Sequence, residues 1–247
     1  MIIVSEYYIP DKAKILRISL AFFIAVLTSV VGVVVSIETA NGLSYGVQAA
    51  RDAGEFPPKE VSLRVEWLMR SQVYANAAIT GAALGLLLYL GSRLLRRMVR
   101  RTPVCWTWRL IPALFAATLA GVVCLVLACL AFRLQPMGSQ NLLFSAAVHG
   151  FVWAGLGTTV IALKSFRYQG DCTIPWPVFT GFLWGIVYPT TVVLIDPSAY
   201  VERLFAENSL IGIWSGGGCL ILLLSALAED WQSIRVASQK DMAEVSG

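Results

Sequence analysis

The chain has 247 residues, of which 57% are apolar and only 14% are charged, and its mean hydropathy is +0.70. Soluble globular domains carry about 25% charged residues, so this composition excludes an ordinary water-soluble protein and predicts a membrane protein. The net charge of +4 is small, and the basic residues lie beside apolar segments. Such a distribution indicates contact with the headgroups of a lipid bilayer and no binding of nucleic acid.

The first apolar segment covers residues 15–37. It is longer than the core of a secretory signal peptide, which has about 7–15 apolar residues. Glu38 also stands where a cleavage site needs a small residue. We therefore expect this segment to be an uncleaved first transmembrane helix.

A polar stretch follows, in which a short helix is predicted over residues 43–53, before Pro57 and Pro58. After the prolines, a single long helix is predicted over residues 59–101, which includes a second span at residues 72–91. At 1.5 Å per residue this helix is about 64 Å long, roughly twice the hydrocarbon thickness, so it should project on both sides. Its first part should carry i,i+4 ion pairs between Glu60 and Arg64 and between Glu66 and Arg70.

Four further apolar segments follow, at residues 110–132, 142–164, 176–195 and 209–228. Each has roughly the 20 residues needed to cross a bilayer, although the fifth span, bounded by prolines, could be a hairpin. Between Asp196 and Asn208 the pattern is typical of a short amphipathic helix on the outer surface. The predicted fold class is all-α: a polytopic helical membrane protein with about six transmembrane helices, forming one integral membrane domain over residues 1–247.

The basic residues predict the orientation. If the N-terminus is inside, thirteen of the 19 Lys and Arg residues fall on the inner side, which predicts that both termini are cytoplasmic. The strongest signal is the end of the long helix, where the arginines also suit anionic lipid headgroups, although orientation alone explains them. These residues are Arg93, Arg96, Arg97, Arg100 and Arg101. The short loops favour a bacterial inner (plasma) membrane.

The second, fourth and sixth predicted helices are rich in small residues, which let helix backbones approach closely. The positions expected to pack against neighbouring helices are Gly81, Gly85, Gly155, Gly216 and Gly217. These three helices should run in the same direction across the membrane. The pattern therefore permits three hairpins of related design.

Almost no ionisable residue lies at membrane depth, which argues against proton-coupled transport through carboxylates. The exception is His149, the only histidine, about two turns inside the fourth predicted helix. We interpret it as a neutral imidazole bonded to a neighbouring helix; a metal ligand, a pH sensor or a base paired with a hydroxyl are the alternatives. One histidine supplies only one ligand and the five cysteines form no CxxC pair, so neither a metal nor a cofactor is predicted.

Three other side chains are candidates for a polar site or cavity. Ser215 precedes the run Gly216–Gly218, which predicts either close helix packing or a helix unwound beside a cavity. Tyr188 precedes Pro189, which predicts a kink whose freed carbonyls can accept from neighbouring threonine hydroxyls. Asn76 is expected to hydrogen-bond to another helix.

No nucleotide-binding loop, metal constellation or acid–base pair is evident in the sequence. We therefore predict a non-enzymatic multi-pass membrane protein that acts as a subunit, assembly factor or scaffold of a membrane complex. Its partners would be other membrane proteins or a second copy, bound at the projecting ends of the long helix. The alternative is a transporter or channel for a small neutral solute, with a cavity near Gly212–Gly218, Tyr188 and His149. An intramembrane enzyme is the third possibility.

Overall fold

The computed structural model describes residues 12–55, 57–100, 110–134, 141–165, 176–195 and 208–245. Seven α-helices and no strand occur in this part of the chain. They are α1 (Lys12–Gly42), α2 (Tyr45–Ala53), α3 (Lys59–Arg100), α4 (Leu110–Leu134), α5 (Leu142–Ser165), α6 (Trp176–Ile195) and α7 (Asn208–Val245). All except α2 are long and apolar enough to cross a membrane, which confirms the predicted class of six-span helical membrane protein.

The helix bounds differ from the predicted ones mainly at the ends. The first helix is longer than its apolar segment, and α2 begins at Tyr45, two residues later than predicted. The long helix α3 begins at Lys59, as expected, and is helical at least to Arg100. The proline-bounded fifth span is one helix, α6, and not a hairpin. Arg101 and the predicted amphipathic helix before Asn208 lie outside the described residues.

The six long helices form an inner and an outer set. Helices α3, α5 and α7 contact one another and form an inner triad. Each outer helix packs against two inner ones: α1 against α7 and α3, α4 against α3 and α5, and α6 against α5 and α7. Within the described ranges the outer helices do not touch one another. Burial agrees, because 44% to 61% of each inner span is buried, against 22% to 28% of each outer span.

This arrangement places the three predicted hairpins in equivalent positions. Each consists of an outer helix followed by an inner one: α1 with α3, α4 with α5, and α6 with α7. The most extensive packing is nevertheless between different hairpins, in the pairs α3–α4, α5–α6 and α1–α7, the last of which joins the first hairpin to the third. The inner helices are the ones that are rich in small residues, because each has neighbours on several sides and must let more than one backbone approach.

Glycines bring α3 and α4 into backbone contact. A Cβ atom at Gly81 would overlap the carbonyl group of Gly121, and one at Gly121 would overlap the carbonyl oxygen of Gly81. One turn further along α3, a Cβ at Gly85 would overlap the carbonyl oxygen of Ala117. These are small-xxx-small pairs on facing helices, an arrangement that lets two membrane helices pack backbone to backbone.

A side chain of α3 holds α2 in place. The Oε1 atom of Gln72 accepts from the backbone N–H groups of Gly46 at 2.7 Å and Val47 at 3.3 Å. It thereby satisfies donors in the first turn of α2 that lack a partner within that helix. The hydroxyls of Tyr45 and Ser71 lie 2.9 Å apart beside this contact. The resulting α2–α3 hairpin marks one end of the bundle, called the α2 end below; the opposite end is the arginine end.

We expect Gly121→Ala to lower the free energy of unfolding by about 1–3 kcal/mol, because the new methyl group forces α3 and α4 apart. The control is Gly212→Ala on α7, where the added Cβ would have Val33 at 3.6 Å, an ordinary contact. Both are measured by unfolding the purified protein in mixed detergent micelles. An equal effect of the two substitutions would contradict the backbone contact between α3 and α4.

Candidate functional site

His149 of α5 lies inside the bundle, 1% exposed, among rings from three other helices. Its ring centroid is 5.4 Å from that of Phe132 on α4, 5.1 Å from that of Tyr188 on α6 and 6.4 Å from that of Trp214 on α7. These four residues, called the histidine cluster below, join one inner pair of helices and two outer helices. Of the residues predicted for a polar site, the cluster contains His149 and Tyr188.

The imidazole of His149 accepts a hydrogen bond from another inner helix. The indole Nε1–H of Trp214 donates to Nδ1 of His149 across 3.1 Å, inside the buried core. A ring nitrogen that accepts cannot carry a proton, so His149 is neutral in this arrangement, with its hydrogen on Nε2. The cluster therefore uses histidine as a polar link between α5 and α7.

The hydrogen bonds of His149 and Ser215 occupy atoms that metal binding or catalysis would use. Because Nδ1 of His149 already accepts from Trp214, that atom does not serve as a metal ligand or a general base here. The hydroxyl of Ser215 donates to the carbonyl of Ile211 on its own helix at 2.7 Å. No group of three or more His, Cys, Asp or Glu side chains that could hold a metal occurs among the described residues.

Two further donors of α6 are directed at backbone carbonyls of α7. The hydroxyl of Tyr188 donates to the carbonyl of Leu210, and the indole N–H of Trp184 donates to that of Trp214, each at 3.2 Å. Polar atoms on aromatic rings need such partners when they are buried. Tyr188 thus binds α7 as well as the ring of His149.

The glycine run of α7 accommodates two tryptophan rings. The ring of Trp184 lies where a Cβ of Gly217 would be, and the ring of Trp153 lies where a Cβ of Gly218 would be. Helix α7 is continuous through these residues, so the alternative of an unwound segment is wrong. The physical reason is that the missing side chains are replaced by indole rings from α5 and α6, not by a break in the backbone.

The other predicted packing glycines also lie against neighbouring helices. A Cβ at Gly216 would lie 2.9 Å from Val33 of α1, and one at Gly155 would overlap the Cys124 sulfur of α4. The hydroxyl of Ser29 on α1 donates to the carbonyl of Gly216 at 2.5 Å. This hydrogen bond adds a polar link to the α1–α7 packing.

Pro189 lies inside α6, as the sequence indicated, but the neighbouring threonines do not bind the carbonyl that it frees. A proline leaves the carbonyl four residues earlier without its donor, which here is that of Gly185. Thr190 and Thr191 instead donate to the carbonyls four residues before themselves, at 3.1 and 2.9 Å. The prediction of their partner was wrong by one or two positions.

Arg96 differs from the other arginines of α3. It is partly buried, and its Nη2 donates to the carbonyl of Val160 at 2.6 Å, close to the C-terminal end of α5. The guanidinium therefore links α3 to α5, while the predicted role of Arg96 in lipid binding stays a prediction. Arg97 is exposed and Arg93 partly so, whereas the side chain of Arg100 is outside the described part.

Sequence reasoning missed the buried tryptophans. Trp153 and Trp214 are completely buried and Trp184 is partly buried. Their position in the middle of apolar segments was the available signal. No donor among the described residues binds Oδ1 of Asn76, and the hydrogen bond predicted from this side chain to another helix stays a prediction.

We expect Trp214→Phe to cost about 1–3 kcal/mol of unfolding free energy, because it leaves Nδ1 of His149 buried without its donor. The control is Trp176→Phe, whose indole is 40% exposed. A double variant combines Trp214→Phe with His149→Leu. Its loss of unfolding free energy should be smaller than the sum of the two single losses, because both substitutions remove the same hydrogen bond. Strictly additive losses in an unfolding titration would contradict the coupling.

Comparison with protein-family models, with curated proteins and with solved structures finds no match.

Proposed function

We propose that the protein is a non-enzymatic subunit or scaffold of a membrane-protein complex, and that its partner binds the part of α3 that projects beyond the bundle. One observation carries this proposal: the face of α3 that packs against α4 continues, uncovered, past the end of α4.

This face can be followed along α3 at intervals of seven residues, which lie nearly above one another on a helix. Gly81 packs against the backbone of α4. Seven residues earlier, the hydroxyl of Tyr74 accepts from Nη1 of Arg133 at 3.2 Å, beside the last residue of α4. Seven residues earlier again, Trp67 is 67% exposed, and one turn beyond it Leu63 is 57% exposed. The face therefore changes from packed to open where α4 ends.

The projecting part has two different sides. One is occupied by α2, through the contacts of Gln72. The other presents Leu63 and Trp67, which we call the apolar stripe, flanked by the ion pair between Glu66 and Arg70. The second predicted pair, Glu60 with Arg64, is not among the ion pairs of the described residues.

An exposed apolar stripe on a helix is a typical site for a partner helix, which buries i,i+4 residues and is oriented by the surrounding charges. From Lys59 to Tyr74 the helix rises about 22 Å, or four turns, enough for a helix pair to form. The partner that fits best is another membrane protein with a helix that also projects from the bilayer.

The location is part of the proposal. Six apolar helices make the chain an integral membrane protein. We propose a bacterial inner membrane with both termini cytoplasmic, because most basic residues then lie inside. The apolar stripe would face the outside, and the arginine end would face the cytoplasmic leaflet. There, the exposed Arg97, together with Arg93, Arg100 and Arg101, would bind anionic lipid.

The double variant Leu63→Glu/Trp67→Glu tests the apolar stripe. Purified at its natural level from its own cells, the wild-type protein should carry other membrane proteins in fixed proportion, and the variant should lose them. Insertion and thermal stability should not change, because neither side chain is buried in the bundle. The control is Val61→Glu, on a different side of the same projection.

Two outcomes would contradict the proposal. One is a variant that retains its partners as well as the control does. The other is a wild-type protein that purifies alone and admits small neutral solutes into liposomes, which would favour the transport alternative.

The arginine end can be tested by a pair of neighbours. Arg97→Gln should weaken binding of anionic lipid about fivefold, the equivalent of about 1 kcal/mol per residue, and leave stability unchanged. Arg96→Gln should instead lower stability, because it removes a charged donor to Val160. Lipid binding is measured with a fluorescent anionic lipid, and stability by thermal unfolding. An equal effect of both variants on lipid binding would show that Arg96 belongs to the lipid site.

A further inference from the structure

Two polar side chains of the inner helix α3 are buried with oxygens that have no hydrogen-bond partner in the described part of the chain. Thr80 is 0% exposed and Asn76 is 7% exposed, and the atoms concerned are Thr80 Oγ1 and Asn76 Oδ1. They are four residues apart, which places them one turn apart on the same side of the helix. A buried polar atom in a membrane helix costs free energy when it has no hydrogen-bond partner. Two such oxygens one turn apart therefore indicate that a partner binds there.

The packing at Gly32 sets the relative height of three helices. A Cβ at Gly32 of α1 would lie 3.5 Å from Cδ2 of Leu84 on α3 and 3.0 Å from Sγ of Cys219 on α7. These three residues therefore lie at one level, where α1, α3 and α7 meet. Each helix contacts both of the others, so the level is a junction of three helices.

One turn from this level toward the α2 end, each of the three helices carries a hydroxyl. The residues are Ser36 on α1, Thr80 on α3 and Ser215 on α7, each four positions from its helix's residue at the Gly32 level. All three side chains are 0% exposed. Because an α-helix rises about 6 Å over four residues, the hydroxyls share a second level, with Asn76 one turn beyond.

The hydrogen-bonding capacity at this level is mainly that of acceptors. Ser36 donates to the carbonyl of Gly32 at 2.8 Å, and Ser215 donates to that of Ile211 at 2.7 Å. Their hydroxyl protons are therefore committed, and their oxygens can only accept. The oxygen of Asn76 is likewise an acceptor only. A ligand that satisfies this set must donate hydrogen bonds and must be small.

We propose that the junction of α1, α3 and α7 is a water-binding site, in which water donates to Asn76 Oδ1 and bonds to Thr80 Oγ1. Buried water typically makes about three hydrogen bonds to polar groups that lack other partners. A cation is disfavoured because the four side chains are uncharged, and a metal ion such as Mg²⁺ or Ca²⁺ in an apolar interior needs compensating charge and about six or more oxygen ligands. This site is independent of the apolar stripe on the projecting part of α3.

Water-edited solid-state NMR of the full-length protein in bilayers tests the site directly. Magnetisation from water should reach Asn76 and Thr80 several-fold faster than it reaches Ala77 and Leu84, which are completely buried on the same helix, as Thr80 is. Transfer to Asn76 and Thr80 that is no faster than transfer to these two neighbours would overturn the proposal.

The isosteric variant Thr80→Val gives opposite results for a wet and a dry junction. If water is bound, the substitution removes one of its partners, so the thermal midpoint falls and transfer to Asn76 slows at least twofold. If the junction is dry, it removes an unsatisfied hydroxyl, so the midpoint rises, which would overturn the proposal. Thr80→Ser should retain the wild-type transfer. The control is Thr190→Val, an exposed threonine that donates to a carbonyl of its own helix.

Discussion

Close approach of helix backbones around three central helices is the constraint on which the rest of this structure depends. Lipid tails are as apolar as leucine, so association of the helices gains little from hydrophobic burial and depends on packing and hydrogen bonds. Each inner helix must admit two outer helices and two inner ones, whereas each outer helix packs against two. Glycines such as Gly81 and Gly121 are required where two backbones touch, because a methyl group would separate them.

Where the inner backbones do not touch, aromatic rings fill the space and supply the polar links. The rings of Trp153 and Trp214 pack in a tilted arrangement between α5 and α7, with their centroids 4.9 Å apart. The indole N–H groups of Trp184 and Trp214 then need acceptors, which are a backbone carbonyl and His149. On this view the one histidine is the acceptor that makes a tryptophan-filled core possible.

The sequence predicts which segments cross the membrane. It predicts much less well which face of each helix packs against which neighbour. Six apolar segments of sufficient length predict the spans, and the small residues of alternate helices predict where backbones approach. A helix that is apolar on all sides carries no hydrophobic periodicity, so the face that meets a neighbour cannot be read from it. For this reason neither the hydrogen bond from Trp214 to His149 nor the one from Arg96 to Val160 could be predicted from the sequence. The partners of the Pro189 threonines were missed for another reason, since the hydroxyls prefer the carbonyls nearest to them.

The polar residues divide into two kinds by what satisfies them. His149, Tyr188 and Arg96 each have a partner on another helix, and so they fix the position of that helix. Oδ1 of Asn76 and Oγ1 of Thr80 have no partner in the described part of the protein. Polar groups of the first kind make a bundle specific in its packing, and those of the second kind leave it open to exchange with a small molecule.

The extensive contact between α1 and α7 has a consequence for how the protein is made. Helix α1 enters the membrane before the other five spans, yet the neighbour with which it packs most is the last of them to be synthesised. Until then, Ser29 and Gly32 have no partner in α7, and the inner triad lacks its third member. The contacts between α1 and α7 therefore form only after the last of the six spans has been made.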